Sequence, residues 1–402
     1  MTRPTHNVWL HRFAWLLALS TLFLVALGSA VTTKGVGMSV PDWPRTYGDH
    51  MFLFPPSKWM AGIFFEHSHR LWASLVGLFC GLLAMWTWWQ GTSGRQRWVG
   101  VGVMVLVLGL LGVRHQPGLF VAVGIVSVLA TVWAAVQAVA SKERMRWLGV
   151  IALSVVIIQG VLGGLRVILD EHGWGTEFGI FHAMLAQAFF LFVCSLVLVT
   201  SKWWARVEKP SLEAKDGSRL KLVFLTVTVL IFVQIFFGAT MRHQHQGLAV
   251  PDFPMAYGRI WPATDDAAVS LYNAQRMEAA GERPISAFHI VVHMLHRYTG
   301  VLAALAMVGC AVLVWWRTRA GAGLRKLALV WVAMAVVQVV LGIFSILSHR
   351  KVDVTTAHVA MGALTLAVGW LAVLITARQT ARAGVVTRAG VPQMSSAQLK
   401  HA

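Results

Sequence analysis

Hydrophobic residues in this chain follow neither the period of two of a half-buried strand nor the 3.6 of a surface helix. They run on in long blocks, broken by short clusters of Arg, Lys, Gly, Pro and Asp. A helix needs ~20 mostly apolar residues to cross a bilayer, because lipid offers its backbone groups no partners. Ten blocks qualify, centred near 13–31, 64–89, 98–113, 118–139, 147–168, 178–200, 221–240, 288–316, 325–347 and 355–377, the third being short. The pattern predicts an all-α polytopic membrane protein of about ten transmembrane helices.

The pattern also occurs twice. Val40-Pro41-Asp42-Trp43-Pro44-Arg45-Thr46-Tyr47-Gly48 returns as Val250-Pro251-Asp252-Phe253-Pro254-Met255-Ala256-Tyr257-Gly258, and Gly28 and Gly37 match Gly238 and Gly247 at the same spacing. Each copy precedes a block that opens with histidines, Glu66-His67-Ser68-His69-Arg70 and His293-Met294-Leu295-His296-Arg297. Further on, Gln159-Gly160-Val161-Leu162-Gly163 is echoed by Gln338-Val339-Val340-Leu341-Gly342, and Ile180-Phe181-His182-Ala183 by Thr356-Ala357-His358-Val359. Matches in one order imply two duplicated four-helix bundles. Residues 98–139 have no counterpart and read as an inserted helical hairpin, peripheral to the core. The predicted domains are 1–208, which includes the hairpin, and 209–402, joined by a polar, basic linker near 201–220. Each half has an even number of spans, so the repeats are parallel.

Composition agrees: 402 residues, 57% hydrophobic and 12% charged, belong to a polytopic membrane protein. Nineteen Trp and twenty Phe suit interfacial belts or a pocket for a flat apolar ligand. The net charge of +18 raises nucleic acid as a partner, but the basic residues sit in short loops between apolar blocks and form no face. Their distribution sets orientation instead. With the N-terminus inside, twenty-one Lys and Arg are cytoplasmic against ten outside. Both termini are therefore expected in the cytoplasm, and the protein in a bacterial cytoplasmic membrane, in contact with lipid. The first block lacks a small-residue cleavage site and is expected to be retained. Cys80, Cys194 and Cys310 lie in apolar runs, so neither a disulfide framework nor a zinc site is readable. The tail after Thr380 has a disordered composition.

The outer loops, 32–60 and 241–287, carry the two copies of the Pro-Asp-aromatic-Pro stretch. Proline fixes φ and removes donors, so each copy is expected to be an ordered turn over the helix ends, with Asp42 and Asp252 in Asx-type backbone contacts. Beneath them lies the candidate chemistry. His69 and His182 in the first half, and His296 and His358 in the second, fall near the outer ends of their helices. An intramembrane histidine is expensive and usually functional, although a single one is as well explained by a carbonyl partner. Two per bundle at similar depth suit bis-histidine haem ligation. Ala183 and Ala186, and Ala360, Gly362 and Ala363, would let a planar macrocycle approach, or simply let helices pack.

Arg70 and Arg297 follow directly and suit haem propionates; snorkelling is the plain alternative. Glu66 lies one turn before His69 and has His293 as its counterpart. A carboxylate there suits proton transfer or stabilisation of a developing cation, and equally an ion pair with Arg70. His293 reads as a neighbour supporting His296. His67 points to the other side of its helix and is set aside as a ligand. His243, His245 and His289 read as solvated groups near the outer loop.

The motif Glu-x-x-His-Arg, after a loop with Trp43-x-x-x-x-Gly48 and Pro55-Pro56, and with three further histidines at matching helix starts, resembles the heme A synthase family. The resemblance spans about residues 10–377 apart from the hairpin. It implies an oxidoreductase that converts heme O to heme A by taking the C8 methyl to a formyl group through hydroxylated intermediates. It implies that His69 and His182 flank heme O with Glu66 as the catalytic carboxylate, and that His296 and His358 ligate a haem b for electron transfer. A heme O-forming enzyme and an electron acceptor such as quinone are implied partners. Two features depart from the family. Many members carry a Cys pair in the first outer loop, where this chain has none, and the usual count is eight spans. Two rival readings remain at this level. A two-haem b cytochrome explains the four histidines but gives Glu66 no purpose. A transporter fits the duplication, but places its site at the midplane and uses broken helices.

Overall fold

The computed structural model describes residues 7–113, 116–141, 143–207, 211–280, 283–316 and 321–380. Over these residues the chain forms α1 (Val8–Thr33), α2 (Ala61–Gly91), α3 (Gly94–Val113), α4 (Pro117–Ala140), α5 (Arg144–Ile168), α6 (Gly175–Val199), α7 (Lys202–Arg206), α8 (Ala214–His243), α9 (Asp266–Ala280), α10 (Ala287–Trp316), α11 (Ala322–Leu347) and α12 (Val352–Gln379), with no strand among the described residues. Ten of these, all but α7 and α9, are long and apolar enough to cross a membrane. They coincide with the ten predicted blocks; every helix begins before its block, and α1, α2, α4, α8 and α12 also end after it. Helical hydrogen bonding continues into polar flanking residues, which water and headgroups solvate. The linker residues 208–210 and the tail after Thr380 lie outside the described residues.

Helices α1, α2, α5 and α6 pack in a ring, and α8, α10, α11 and α12 pack in the same cyclic order. Between the rings α1 meets α12 and α6 meets α8, the same contact with the halves exchanged. The arrangement is a pseudo-twofold in which the first and last helices of each ring form the seam. The apolar cores lie toward the end where the N-terminus begins: Leu17, Val76, Cys80 and Val193 in one ring, Phe224, Trp331, Leu366 and Cys310 in the other. Trp331 satisfies its indole N–H on Thr365 O at 2.8 Å, so its own donor is not orphaned. At that same end His11 meets Thr200 at 3.1 Å and Leu212 bridges Thr380, which ties α1, α6 and α12 to the linker.

The inserted hairpin sits outside the first ring, with α3 on α2 and α4 on α5, and little contact between α3 and α4 themselves. Val99, Val103, Leu106, Leu129, Val132 and Val136 face away from the protein, as lipid-facing residues do. The hairpin also reaches the loop between α1 and α2. Phe120 meets Trp43 edge-on at 4.8 Å, and His50 Nε2 lies 3.1 Å from Gly112 O. The end of the hairpin where α3 meets α4 therefore braces the turn above the first histidine pair.

Candidate functional site

The repeated stretch folds into the same turn twice. Asp42 accepts from the backbone N–H groups of Tyr47 at 2.7 Å and Gly48 at 2.8 Å; Asp252 accepts from Tyr257 at 2.9 Å and Gly258 at 3.2 Å. The expected Asx contact is thus present, but it reaches five and six residues ahead where an Asx turn reaches two. The tyrosines hold φ of 51° and 50° and the glycines 78° and 74°. Both X-Pro bonds, Trp43-Pro44 and Phe253-Pro254, are cis. Tyr47 donates to Ser39 O at 2.5 Å and Tyr257 to Ala249 O at 2.9 Å. Burial raises Tyr257 above the ordinary phenol range, which keeps it a donor.

Each turn is locked to the helix below it. Arg70 donates to the carbonyls of Val40 and Asp42, both at 2.7 Å, to Arg45 O at 3.1 Å, and to Glu66 Oε1 at 2.7 Å. Arg297 donates to Val250 O at 2.9 Å, Asp252 O at 2.6 Å and Met255 O at 3.0 Å. Both guanidiniums, expected to face propionates, are taken up by loop carbonyls, because the turn presents a cluster of unpaired C=O groups directly above them. Glu66 closes the first lock: its other oxygen accepts from Val40 N at 2.8 Å. His293 stands in its place in the second, with Nδ1 accepting from Val250 N at 3.3 Å. The ion pair with Arg70 that the sequence offered for Glu66 is thus present, and His293 Nδ1 is engaged with the loop. His67 is fully buried under the first loop between Phe54 and Trp59, with Nδ1 3.3 Å from Thr46 Oγ1.

The four histidines lie within α2, α6, α10 and α12, His69 and His296 each directly before the arginine of its lock. The rings of His296 and His358 face one another with centres 6.5 Å apart and planes at 73°. Two imidazoles bound through nitrogen to one metal at about 2.0–2.1 Å have ring centres roughly 6 Å apart, so the spacing suits a single ion between them. His296 Nδ1 lies 3.1 Å from Gln234 O, and His182 Nδ1 lies 3.0 Å from Gln159 O. A proton on Nδ1, held by a carbonyl, leaves Nε2 as the free lone pair of a metal ligand. The amides of Gln234 and Gln338 stand at the Nε2 atoms of His296 and His358, at 3.3 and 3.4 Å. His69 and His182 bear on each other electrostatically from α2 and α6. No group of three or more His, Cys, Asp or Glu suited to a metal occurs among the described residues.

Glycine seats every ring. A Cβ added at Gly28 would stand 3.0 Å from His69, one at Gly163 3.1 Å from His182, one at Gly238 3.0 Å from His296, and one at Gly342 3.1 Å from His358. Each imidazole brings its Cε1 up to the glycine of the preceding helix in its ring, a position that any larger residue would crowd. All four glycines lie in the repeated segments, where the sequence marks them only as matches. A pair of imidazoles seated this way in an apolar ring, with only a glutamine amide at each Nε2 of the second pair, fits axial ligation of a haem. The small residues after the histidines serve differently in part: Ala363 is fully buried against Phe190 of α6, at the seam between the rings.

Sequence reasoning also missed a basic cluster at the seam. His243, expected to be solvated, is 8% exposed, because α8 continues to it and places its ring on Gly179 of α6. Arg166, Arg242 and Arg350 lie close by. His289 is half-buried beside Ser286, and His245 adopts a φ of 57° at the start of the second loop.

Comparison with known proteins completes the description. The profile of the COX15-CtaA family, described as Cytochrome oxidase assembly protein, matches residues 119–369. The chain is 26% identical over 388 residues to a protein named Heme A synthase from Methylobacterium radiotolerans, covering 88% of this chain and 87% of that one. It is 25% identical over 392 residues to a Heme A synthase from Rhodopseudomonas palustris, covering 90% and 86%. A third, from Shouchella clausii, is 23% identical over 272 residues, covering 67% and 71%.

Proposed function

The chain belongs to the cytochrome oxidase assembly protein family, and on that premise we propose that it is a membrane enzyme converting heme O to heme A. The observation that carries this reading is the pair of opposed, glycine-seated imidazoles with one ion's spacing in the second ring, repeated as ligand candidates in the first. The change made to heme O is oxidation of its C8 methyl to a formyl group. The first unit, residues 1–208, takes heme O between His69 and His182; the second, residues 209–402, takes haem b between His296 and His358. A haem iron at the second pair supplies one-electron transfer. The protein's part is to fix each imidazole on its glycine seat, His182 and His296 also by an Nδ1 contact to a carbonyl, and to close each ring from above with a locked turn that excludes water.

Glu66 is the proposed catalytic carboxylate, since it is the point at which the two otherwise matched locks differ. Heme O arrives from the enzyme that forms it, and electrons leave to an acceptor such as quinone. Both termini lie on the cytoplasmic side of a bacterial cytoplasmic membrane.

A two-haem b cytochrome that leaves its haem unmodified has one observation in its favour: both oxygens of Glu66 are engaged in holding the loop. Replacing Glu66 with His separates the readings, because it copies the working lock of the second unit. With heme O supplied, Glu66→His and Glu66→Gln are expected to keep bound haem and lose heme A formation. Heme A formed at the wild-type rate by Glu66→His would reduce Glu66 to a loop anchor.

A further inference from the structure

Positive charge gathers, largely without acidic partners, at the outer end of the seam between the two rings. Arg166 approaches from the end of α5, Arg242 and His243 from the end of α8, and Arg350 from just beyond α11. A Cβ at Gly37 would fall 2.7 Å from Arg166 Nη2. One at Gly179 would fall 2.6 Å from His243 Nδ1 and 3.3 Å from Arg166 Nε. Arg166 and His243 therefore share the space beside Gly179, one turn above His182 on α6. Across the pseudo-twofold, Gly247 repeats Gly37 and has Arg350 Cδ at 3.2 Å from the same construction. Arg350 thus takes in the second unit the place that Arg166 takes in the first.

The charges reach both histidine pairs. Arg166 bears electrostatically on His69, His182 and His243, and Arg242 on His358. Their own contacts are sparse. Arg242 donates to Ser29 O at 3.1 Å, and Arg350 to the carbonyls of His245 and Thr33, both at 3.4 Å. The ion pairs among the described residues, Lys58 with Asp49 and Arg70 with Glu66, involve none of the four. The acids that Arg166 feels are Glu66, already bound to Arg70, and Asp170. Buried polar atoms here have no hydrogen-bond partner: His243 Nδ1, Arg242 Nε, Ser29 Oγ and Thr33 Oγ1. Cations and donors held out of water without partners are strongly unfavourable unless an anion joins them. The guanidinium fork matches the two oxygens of a carboxylate.

We propose that this seam cluster binds the propionate carboxylates of the two haems, Arg166 with His243 at the first site and Arg350 with Arg242 at the second. The inference rests on the haem reading of the histidine pairs. It moves the propionates from Arg70 and Arg297, which clamp loops, to the seam. It also makes the first site a composite, since His243 reaches it from the second unit.

The test uses the full-length protein purified from haem-deficient cells and titrated with protohaem or its dimethyl ester, whose propionates are blocked. Binding is read from the low-spin absorbance bands, and folding from the gel-filtration profile. The wild type is expected to favour free protohaem over the ester. Arg350→Gln and Arg242→Gln are expected to weaken protohaem binding roughly tenfold to a hundredfold, the effect of losing one charge-assisted hydrogen bond, and to leave ester binding unchanged. Arg350→Lys, which keeps the charge and loses the fork, is expected to fall between. The bound haem in the Gln variants is expected to have a lowered midpoint potential, because a nearby cation is gone. Equal wild-type binding of the two probes, or variants that weaken both equally, would overturn the inference and leave the histidine pairs standing. A wild type that takes up neither probe would overturn the haem reading, and the inference with it.

Discussion

Replacing Arg70 with Met removes the cation that neutralises Glu66 and caps the turn above the first histidine pair. The side chains of Arg70 and Glu66 are 10% and 5% exposed, so the pair is buried. Deleting one partner of a buried pair costs about 3–5 kcal/mol, because the other charge is left without compensation. Arg297 makes three comparable bonds to loop carbonyls but has no acid beside it, His293 standing where Glu66 stands. Arg297→Met is therefore expected to cost less, near the ~1.5–3 kcal/mol of hydrogen bonds to a charged group, since the outermost carbonyls can turn to water. Arg70→Met with Glu66→Leu is expected to recover part of the Arg70→Met loss, because no orphaned charge remains. The assay is denaturant unfolding in detergent micelles, combined with protease nicking of the loop at residues 32–60. Equal losses for Arg70→Met and Arg297→Met, with no recovery in the double variant, would refute the idea that a buried ion pair holds the first loop.

The glycine seats make a second prediction: Gly238→Ala or Gly342→Ala, whose new Cβ would stand 3.0 or 3.1 Å from an imidazole, should shift the ring and weaken the low-spin haem spectrum. Gly309→Ala, on the same helix as His296 but facing open space, should leave the spectrum unchanged and gain up to about 1 kcal/mol from helix propensity. His296→Ala and His358→Ala should each abolish a low-spin haem while the protein still inserts and elutes as the wild type does; full haem content in both would remove the ligand assignment. Asp252→Ala frees the N–H groups of Tyr257 and Gly258 and should cost about 1–3 kcal/mol, with faster proteolysis of the second loop.

The parts of this structure that repeat were readable before any coordinates. Apolar blocks of spanning length locate ten helices, because lipid leaves the backbone no other solution. The duplicated Pro-Asp-aromatic-Pro stretch announces two equivalent turns, and Glu66 with Arg70 four residues later leaves an ion pair on one helix face as one of two readings. The α9 helix was not readable in this way: it is polar, short and within a loop, and it is held by Tyr272 stacked on Tyr257 at 3.7 Å and by Arg276 donating to Leu248 O. The seam cluster escaped for the opposite reason. Arg166, Arg242 and His243 fall where the copies differ, opposite Ser345, Thr32 and Thr33, so a search for repeated residues passes over them. Their meeting depends on how two rings pack, a relation between segments far apart in the chain. The loop carbonyls that engage Arg70 and Arg297 were not legible for the same reason: they come from a segment far from these residues in the chain.

The central claim is the conversion of one haem to another by this chain, and chromatography of extracted haem tests it most directly. The protein is expressed in cells that make heme O and no heme A, and haems are extracted from the purified protein and from the membranes. Heme A or its hydroxylated precursor, appearing with the wild type and absent with Glu66→Gln, is the predicted result. A coloured protein carrying only haem b, in cells shown to contain heme O, would contradict it.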